Sequence, residues 1–186
     1  TMWLKRAVAG IVTVLVYQVA RVELFGPKAG PFDIVVNKIE ECEDKGTHQL
    51  VFGDKINSKG NNVYTYTNDV YMLAPWDENM KLDIEVQQLS NGVYRPRFMT
   101  HSFKTCQKFV KVGREWMTNF FGAAGYTFTD CPLPAGNYSV KDWVVDLKLN
   151  NMPTMIYNSY KMFAKFTWSG TKVGCLVVYG DVVPKP

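Results

Sequence analysis

The sequence predicts an all-β domain, mainly antiparallel, with one short helix. Short segments rich in Val, Ile, Tyr, Phe and Thr recur from residue 32 onward, turn-forming clusters separate them, and several segments alternate apolar with polar residues. The length of 186 residues suits a single domain, and a hydrophobic content of 47% supplies one core. We therefore expect one β domain over residues 21–186.

The strand predictions follow from this patterning. The candidate strands are residues 32–39, 63–67, 70–73, 81–87, 93–101, 138–149, 160–168 and 173–183. The polar stretch 54–62 is expected to be a loop. Asn91-Gly92 is typical of a tight hairpin turn, and Ser169-Gly170 is expected to turn the chain between the last two strands. Pro96 favours an edge strand because proline cannot donate to a sheet ladder.

A helix is predicted over residues 106–121. Phe109, Val112, Trp116 and Phe120 recur at the spacing of one helical face. The glycines that follow at residues 122 and 125 are expected to end the helix.

The first twenty residues have the pattern of a secretory leader. Lys5 and Arg6 precede an uncharged run, residues 7–20, which is too short to span a membrane as a helix. We expect residues 1–20 to be a signal peptide and the protein to be secreted and extracellular. The alternative is a retained N-terminal anchor or an amphipathic first helix.

Two further features agree with secretion. Cys42, Cys106, Cys131 and Cys175 form an even set downstream of the leader, which in an oxidising compartment predicts two disulfides, with three pairings open. Asn137-Tyr138-Ser139 is an N-glycosylation sequon, so Asn137 is a candidate glycan acceptor on the surface.

The residues needed for catalysis are scarce. The chain has only two histidines and lacks the motifs of serine hydrolases, zinc proteases, phosphate-binding loops and dinucleotide-binding folds. The cysteines lack metal-ligand spacing, so we expect neither a metal nor a cofactor. The net charge of +4 is thinly spread, which argues against a nucleic-acid partner. We expect no enzyme; a hydrolase with an unfamiliar site is the alternative.

Two stretches near the C-terminus carry a resemblance to a known family. They are CPLPAGNY at residues 131–138 and KVGCLVV at residues 172–178. With the order of the four cysteines, they resemble the ganglioside activator proteins, an ML-like lipid-recognition family, and in particular the related secreted arthropod proteins associated with chemical sensing. The resemblance covers about residues 33–183 and is most detailed over 106–178, although this chain lacks the family's further cysteine pairs around the helix.

The resemblance implies a two-sheet β-cup, or sandwich, with an apolar cavity between the sheets. It also implies pairing of Cys42 with Cys175 and of Cys106 with Cys131. The expected function is that of a secreted, non-catalytic carrier of a lipid or other hydrophobic small molecule. Transient membrane contact is expected, and a receptor or a hydrolase is left open as the recipient of the ligand.

Large apolar residues supply the candidate ligand-binding set. The residues expected to line the cavity are Trp76, Ile84, Val86, Trp116, Phe120, Phe121, Tyr126, Phe128, Trp143, Met162, Phe166 and Trp168. Residues 75–76 and 120–125 are candidates for a flexible apolar rim, with ordinary turn packing as the alternative. The same aromatic residues would also suit a filled core, in which case the protein would be an extracellular protein-protein interaction module.

Overall fold

The computed structural model describes residues 30–147 and 155–185. Within these ranges it contains nine strands and one helix. They are β1 (Phe32–Glu41), β2 (Leu50–Val51), β3 (Ile56–Gly60), β4 (Val63–Met72), β5 (Met80–Ser90), β6 (Val93–Phe103), α1 (Cys106–Gly122), β7 (Gly136–Val144), β8 (Asn158–Trp168) and β9 (Thr171–Pro184). The predicted leader, residues 1–20, and the end of the predicted strand 138–149 lie outside the described residues.

Five strands form a large antiparallel sheet in the order β1-β9-β8-β5-β6. Side chains directly opposite each other in a sheet share a face. One such row contains Ile84, Ala164 and Leu176, and the next contains Val86 and Met162. These side chains belong to the hydrophobic core, so this is the inner face of the sheet.

The small sheet is built around β4. β2 and β3 pair with opposite ends of β4, and β7 pairs with β4 along a stretch that overlaps both. Because a strand has two edges, β2 and β3 share one edge of β4 while β7 occupies the other.

Different elements connect the two sheets on their two sides. On one side, β1 contacts β3 and β4 directly. On the other side, α1 lies between the sheets and contacts β7 of the small sheet and both β5 and β6 of the large sheet. The predicted fold class, a mainly antiparallel two-sheet protein with one helix, is confirmed.

A bulge in β7 sets which of its side chains face the core. Tyr66 and Asn68, two residues apart on β4, pair with Trp143 and Val140, three residues apart on β7. Asp142 lies in this bulge with a φ of 46°. The extra residue reverses the alternation along β7, so Val140 and Trp143 are both buried.

The helix begins where Thr105 caps it, its side-chain oxygen accepting a hydrogen bond from the Lys108 amide. The predicted apolar face is present: Phe109 and Phe120 are buried, and Trp116 is half-buried. The helix ends at Gly122, as the glycine signal predicts.

The local turn predictions are confirmed, whereas one loop prediction is wrong. Asn91-Gly92 and Ser169-Gly170 adopt positive φ angles in the hairpins between β5 and β6 and between β8 and β9. The expected loop over residues 54–62 contains β3, because its polar residues pair with β4 through a turn at Asn61-Asn62. The separate strands predicted at 63–67 and 70–73 are one continuous strand, β4.

Both disulfide pairings implied by the resemblance are confirmed. Cys42 bonds to Cys175, with Cα atoms 5.3 Å apart, and connects the end of β1 to β9. Cys106 bonds to Cys131, with Cα atoms 6.0 Å apart, and attaches the start of α1 to the segment before β7. Both Cα separations suit a disulfide.

The described residues contain no helix with the length and hydropathy needed to cross a membrane.

Candidate functional site

The inner face of the large sheet carries two separate groups of buried residues. The main cluster joins residues of both sheets and α1, including Leu82, Phe109 and Phe166. The second cluster, Val86, Met155, Tyr160 and Val182, lies further along the same face. The fully buried side chains of this face therefore fall into two groups, which partly buried residues connect.

Three apolar side chains lie between these clusters. Ile34, Ile84 and Met162, here called the bridging residues, pack against both clusters, yet each is only partly buried. Ile84 and Met162 belong to β5 and β8, which have strands on both sides in the large sheet. In a filled core, apolar side chains at such central positions are normally fully buried. Part of the apolar surface of the bridging residues is therefore left uncovered by the described protein.

A cleft opens between α1 and the end of β7. It has a volume of about 250 Å³ and is lined by Glu115, Trp116, Asn119, Trp143, Val144 and Asp146. This is slightly below the roughly 300–1,000 Å³ typical of small-molecule pockets. The cleft is thus large enough for one end of a drug-sized ligand.

Two residues that line this cleft, Trp116 and Trp143, belong to a group of packed aromatic rings. Trp116 stacks on Phe120 with ring centroids 5.0 Å apart, and Trp143 is perpendicular to both rings, at 6.1 and 5.1 Å. Phe120 in turn lies 5.9 Å from the Tyr66 ring. The Nε1 atom of Trp116 is buried and has no hydrogen-bond partner among the described residues. The packing of Phe120 behind Trp116 and Trp143 therefore holds these two cleft residues in place.

The structure separates the predicted ligand-binding residues. Ile84, Val86 and Met162 lie on the inner face of the large sheet, Trp116 and Trp143 line the cleft, and Phe120 packs against both of these rings. The remaining residues form two other groups.

One of the remaining groups lies on the inner face near the N-terminal half of α1. Trp76 packs on Phe109, with centroids 4.9 Å apart, and is perpendicular to Phe166 at 5.7 Å. Trp168 is half-buried, and its Nε1 atom donates to Asp77 at 3.3 Å. This group forms the closely packed part of the main cluster.

The other group lies near the C-terminal end of α1. Phe121 and Tyr126 both contact the ring of Tyr138, at 4.9 and 5.5 Å, and Phe128 lies 6.4 Å from Phe121. These contacts join the end of α1 to β7.

The prediction of a flexible apolar rim is wrong for the three large side chains at its candidate positions. Trp76, Phe120 and Phe121 are only 5%, 6% and 3% exposed. Phe120 and Phe121 belong to the last turn of α1, whose buried side is wider than the periodicity alone indicated. The exposed large apolar residues include Tyr71 and Leu73, at and just beyond the end of β4.

Glu41 is a partly buried acidic residue that the sequence analysis did not identify. Its carboxylate accepts a hydrogen bond from the Phe52 amide at 3.0 Å and lies 2.6 Å from Lys45 Nζ and 3.0 Å from His48 Nε2. Burial alone would raise the pKa of Glu41, but these hydrogen bonds outweigh it and hold the pKa below its usual value. Glu41 lies within the acidic run at residues 40–44, and no local signal in the sequence distinguishes it from its neighbours.

The described residues contain no group of three or more His, Cys, Asp or Glu side chains arranged to hold a metal ion.

Comparison with known proteins gives one family match. Residues 80–162 match the family described as "Protein of unknown function (DUF1091)". The matched segment covers β5, β6, α1, β7 and the first part of β8, and it is less than half of the chain. It contains Ile84, Met162 and the cleft residues Trp116 and Trp143. No curated protein matches the chain.

Proposed function

We propose that this protein is a secreted, non-catalytic carrier that binds a lipid or another hydrophobic small molecule between its two sheets. The observation that carries the proposal is the partial exposure of Ile84 and Met162 on the inner face of the large sheet. Surface at this position would be covered by protein if the interior were filled.

The chemistry of the bridging residues favours an apolar ligand. Ile34, Ile84 and Met162 offer no conventional hydrogen-bond donor, and the thioether of Met adapts to ligands of irregular shape. Burying one ligand methylene contributes about 0.8 kcal/mol, so about ten methylenes give roughly 8 kcal/mol before the entropic cost of ordering is subtracted. An acyl chain would therefore bind usefully without any specific polar contact.

The cleft supports an amphiphilic ligand. Trp116 and Trp143 provide an apolar wall, while Glu115, Asn119 and Asp146 provide polar groups beside it. Such a boundary suits the junction between an apolar chain and a polar head group. In this proposal, the acyl chain covers the bridging residues and the head group lies at the cleft.

Secretion is part of the proposal and rests on the two disulfides and the sequence of the leader. Disulfides of this kind persist in oxidising compartments. Delivery of the ligand to a membrane, receptor or enzyme is the expected use of such a carrier.

The test compares two tryptophan substitutions one residue apart on β8. Met162→Trp adds bulk on the inner face, whereas Phe163→Trp changes the outer face, where Lys161 lies 4.8 Å from the Phe163 ring centroid. Binding of a fluorescent fatty-acyl probe should weaken at least tenfold in Met162→Trp and stay near wild type in Phe163→Trp. Urea unfolding of both variants confirms that each remains folded.

Two results would contradict the proposal. One is equal probe affinity in Met162→Trp and Phe163→Trp. The other is failure of the wild-type protein to bind acyl, sterol and glycolipid probes together with the absence of co-purifying lipid by mass spectrometry. The second result would favour an extracellular protein-protein interaction module.

A further inference from the structure

The outer face of the small sheet carries an exposed apolar pair at one end. Tyr71 and Leu73 are 44% and 72% exposed, and they lie at the end of β4 and just beyond it. The outward residues that precede Tyr71 on the same strand, Thr67 and Asp69, are polar. The apolar surface is therefore local.

The N-glycosylation sequon lies directly beside this pair. Asn137 is the cross-strand neighbour of Tyr71, and Ser139 is the neighbour of Asp69. Both sequon residues are exposed. Directly opposite residues in an antiparallel pair have Cβ atoms about 4.5–5.5 Å apart, and diagonal neighbours about 7–8 Å. Tyr71 is thus within reach of the first sugar on Asn137.

Tyr138, which lies between Asn137 and Ser139, fixes the orientation of both sequon residues. Tyr138 is buried, and its hydroxyl donates to the Pro134 carbonyl at 2.7 Å. Successive residues of a strand point to opposite faces, so an inward Tyr138 turns Asn137 and Ser139 outward. The sequon and the apolar pair are consequently held on one surface.

We propose that Asn137 carries an N-linked glycan whose first sugar packs against Tyr71 and Leu73. The C–H groups on one face of a pyranose ring are apolar and match the face of a tyrosine ring. In the transfer step, Asn137 Nδ2 bonds to C1 of the sugar, the bond from C1 to the diphosphate of a lipid-linked oligosaccharide donor breaks, and the amide nitrogen loses a proton. The glycan covers the apolar pair and limits self-association at this end of the sheet.

This proposal rests on the secretion part of the proposed function and not on ligand binding. The experiment produces the full chain in a eukaryotic secretory host. Intact mass before and after enzymatic removal of N-glycans reports occupancy, with N137Q and S139A as two independent ways to remove the sequon. Probe binding by N137Q is expected to equal that of wild type, so the carrier proposal is judged separately.

Packing of the sugar is tested by a double-mutant cycle. Tyr71→Thr is made in the glycosylated protein and in N137Q, and Val63→Thr, an exposed residue at the opposite end of β4, is the matched control. Tyr71→Thr should lower the melting temperature more when the glycan is present, and Val63→Thr should have the same effect in both backgrounds. A chain without glycan on Asn137, or equal effects of Tyr71→Thr in both backgrounds, would overturn the proposal.

Discussion

Gly113 illustrates how one residue permits the packing of the helix. Its φ and ψ of −113° and 16° depart from helical values, so α1 kinks there. A Cβ at this position would lie 2.7 Å from the Cε1 and Cζ atoms of Phe109. The missing side chain therefore lets the Phe109 ring lie against the helix backbone, where it also contacts Trp76 and Trp116.

Gly113→Ala is expected to destabilise the protein. Alanine favours a helix interior over glycine by about 1 kcal/mol, but displacing a buried ring in a packed core costs about 1–3 kcal/mol. We expect a net loss on the order of 1 kcal/mol in urea unfolding. Gly122→Ala is the matched control, since a Cβ there meets nothing within 4 Å. Equal stability of the two variants would refute this role for Gly113.

Glu41 is expected to contribute a pH-dependent part of the stability. Its pKa in the folded protein lies below the usual value of 4.5, despite the opposing effect of burial, because Lys45, His48 and the Phe52 amide bond to the ionised form. A depressed folded pKa gives stability that is complete above about pH 4.5 and is lost as the pH falls through the folded pKa.

Glu41→Gln should therefore unfold more easily than wild type at pH 7, and the difference should shrink below pH 4.5. Unfolding in urea at several pH values measures this, with Glu43→Gln, an exposed neighbour, as the control. A difference between Glu41→Gln and wild type that stays constant down to pH 3 would be inconsistent with this assignment.

Among the structural elements, the sequence predicted those that are determined by local residue chemistry, such as the hairpin turns. Asn91-Gly92 and Ser169-Gly170 identify their hairpins because few residues tolerate two consecutive positive φ angles. β3 was missed because its sequence, INSKG, lacks apolar alternation, and only pairing with β4 makes it a strand. The bulge at Asp142 was likewise hidden, since register is set by the partner strand.

The two disulfides should stabilise the fold to different extents. Cys42–Cys175 spans 133 residues and Cys106–Cys131 spans 25 residues, so loop-closure entropy predicts contributions of about 5 and about 3.5 kcal/mol. Replacing each pair by alanines should lower the free energy of unfolding in that order, as measured by urea titration. A larger loss from removing Cys106–Cys131 would show that loop entropy does not decide the effect.

For the molecule as a whole, the fold class was predictable but the packing of the interior was not. The sequence identified large apolar residues without showing which of them pack together. Trp76 and Trp116 have the same residue type, yet one lies in a packed cluster and the other forms the wall of a cleft. The partial exposure of Ile84 and Met162 depends on how the other elements cover the inner face, a property that arises only from their assembly.

In the proposed complex, an acyl chain contacts the inner face of the large sheet between the two buried clusters. This contact is measured by NMR on protein carrying ¹³C-labelled methyl groups in Ile and Met, bound to a fatty-acyl ligand. Nuclear Overhauser effects are expected from the acyl methylenes to the methyl groups of Ile84 and Met162. Bound ligand that shows such effects only to residues on the outer surface would contradict the proposed contact.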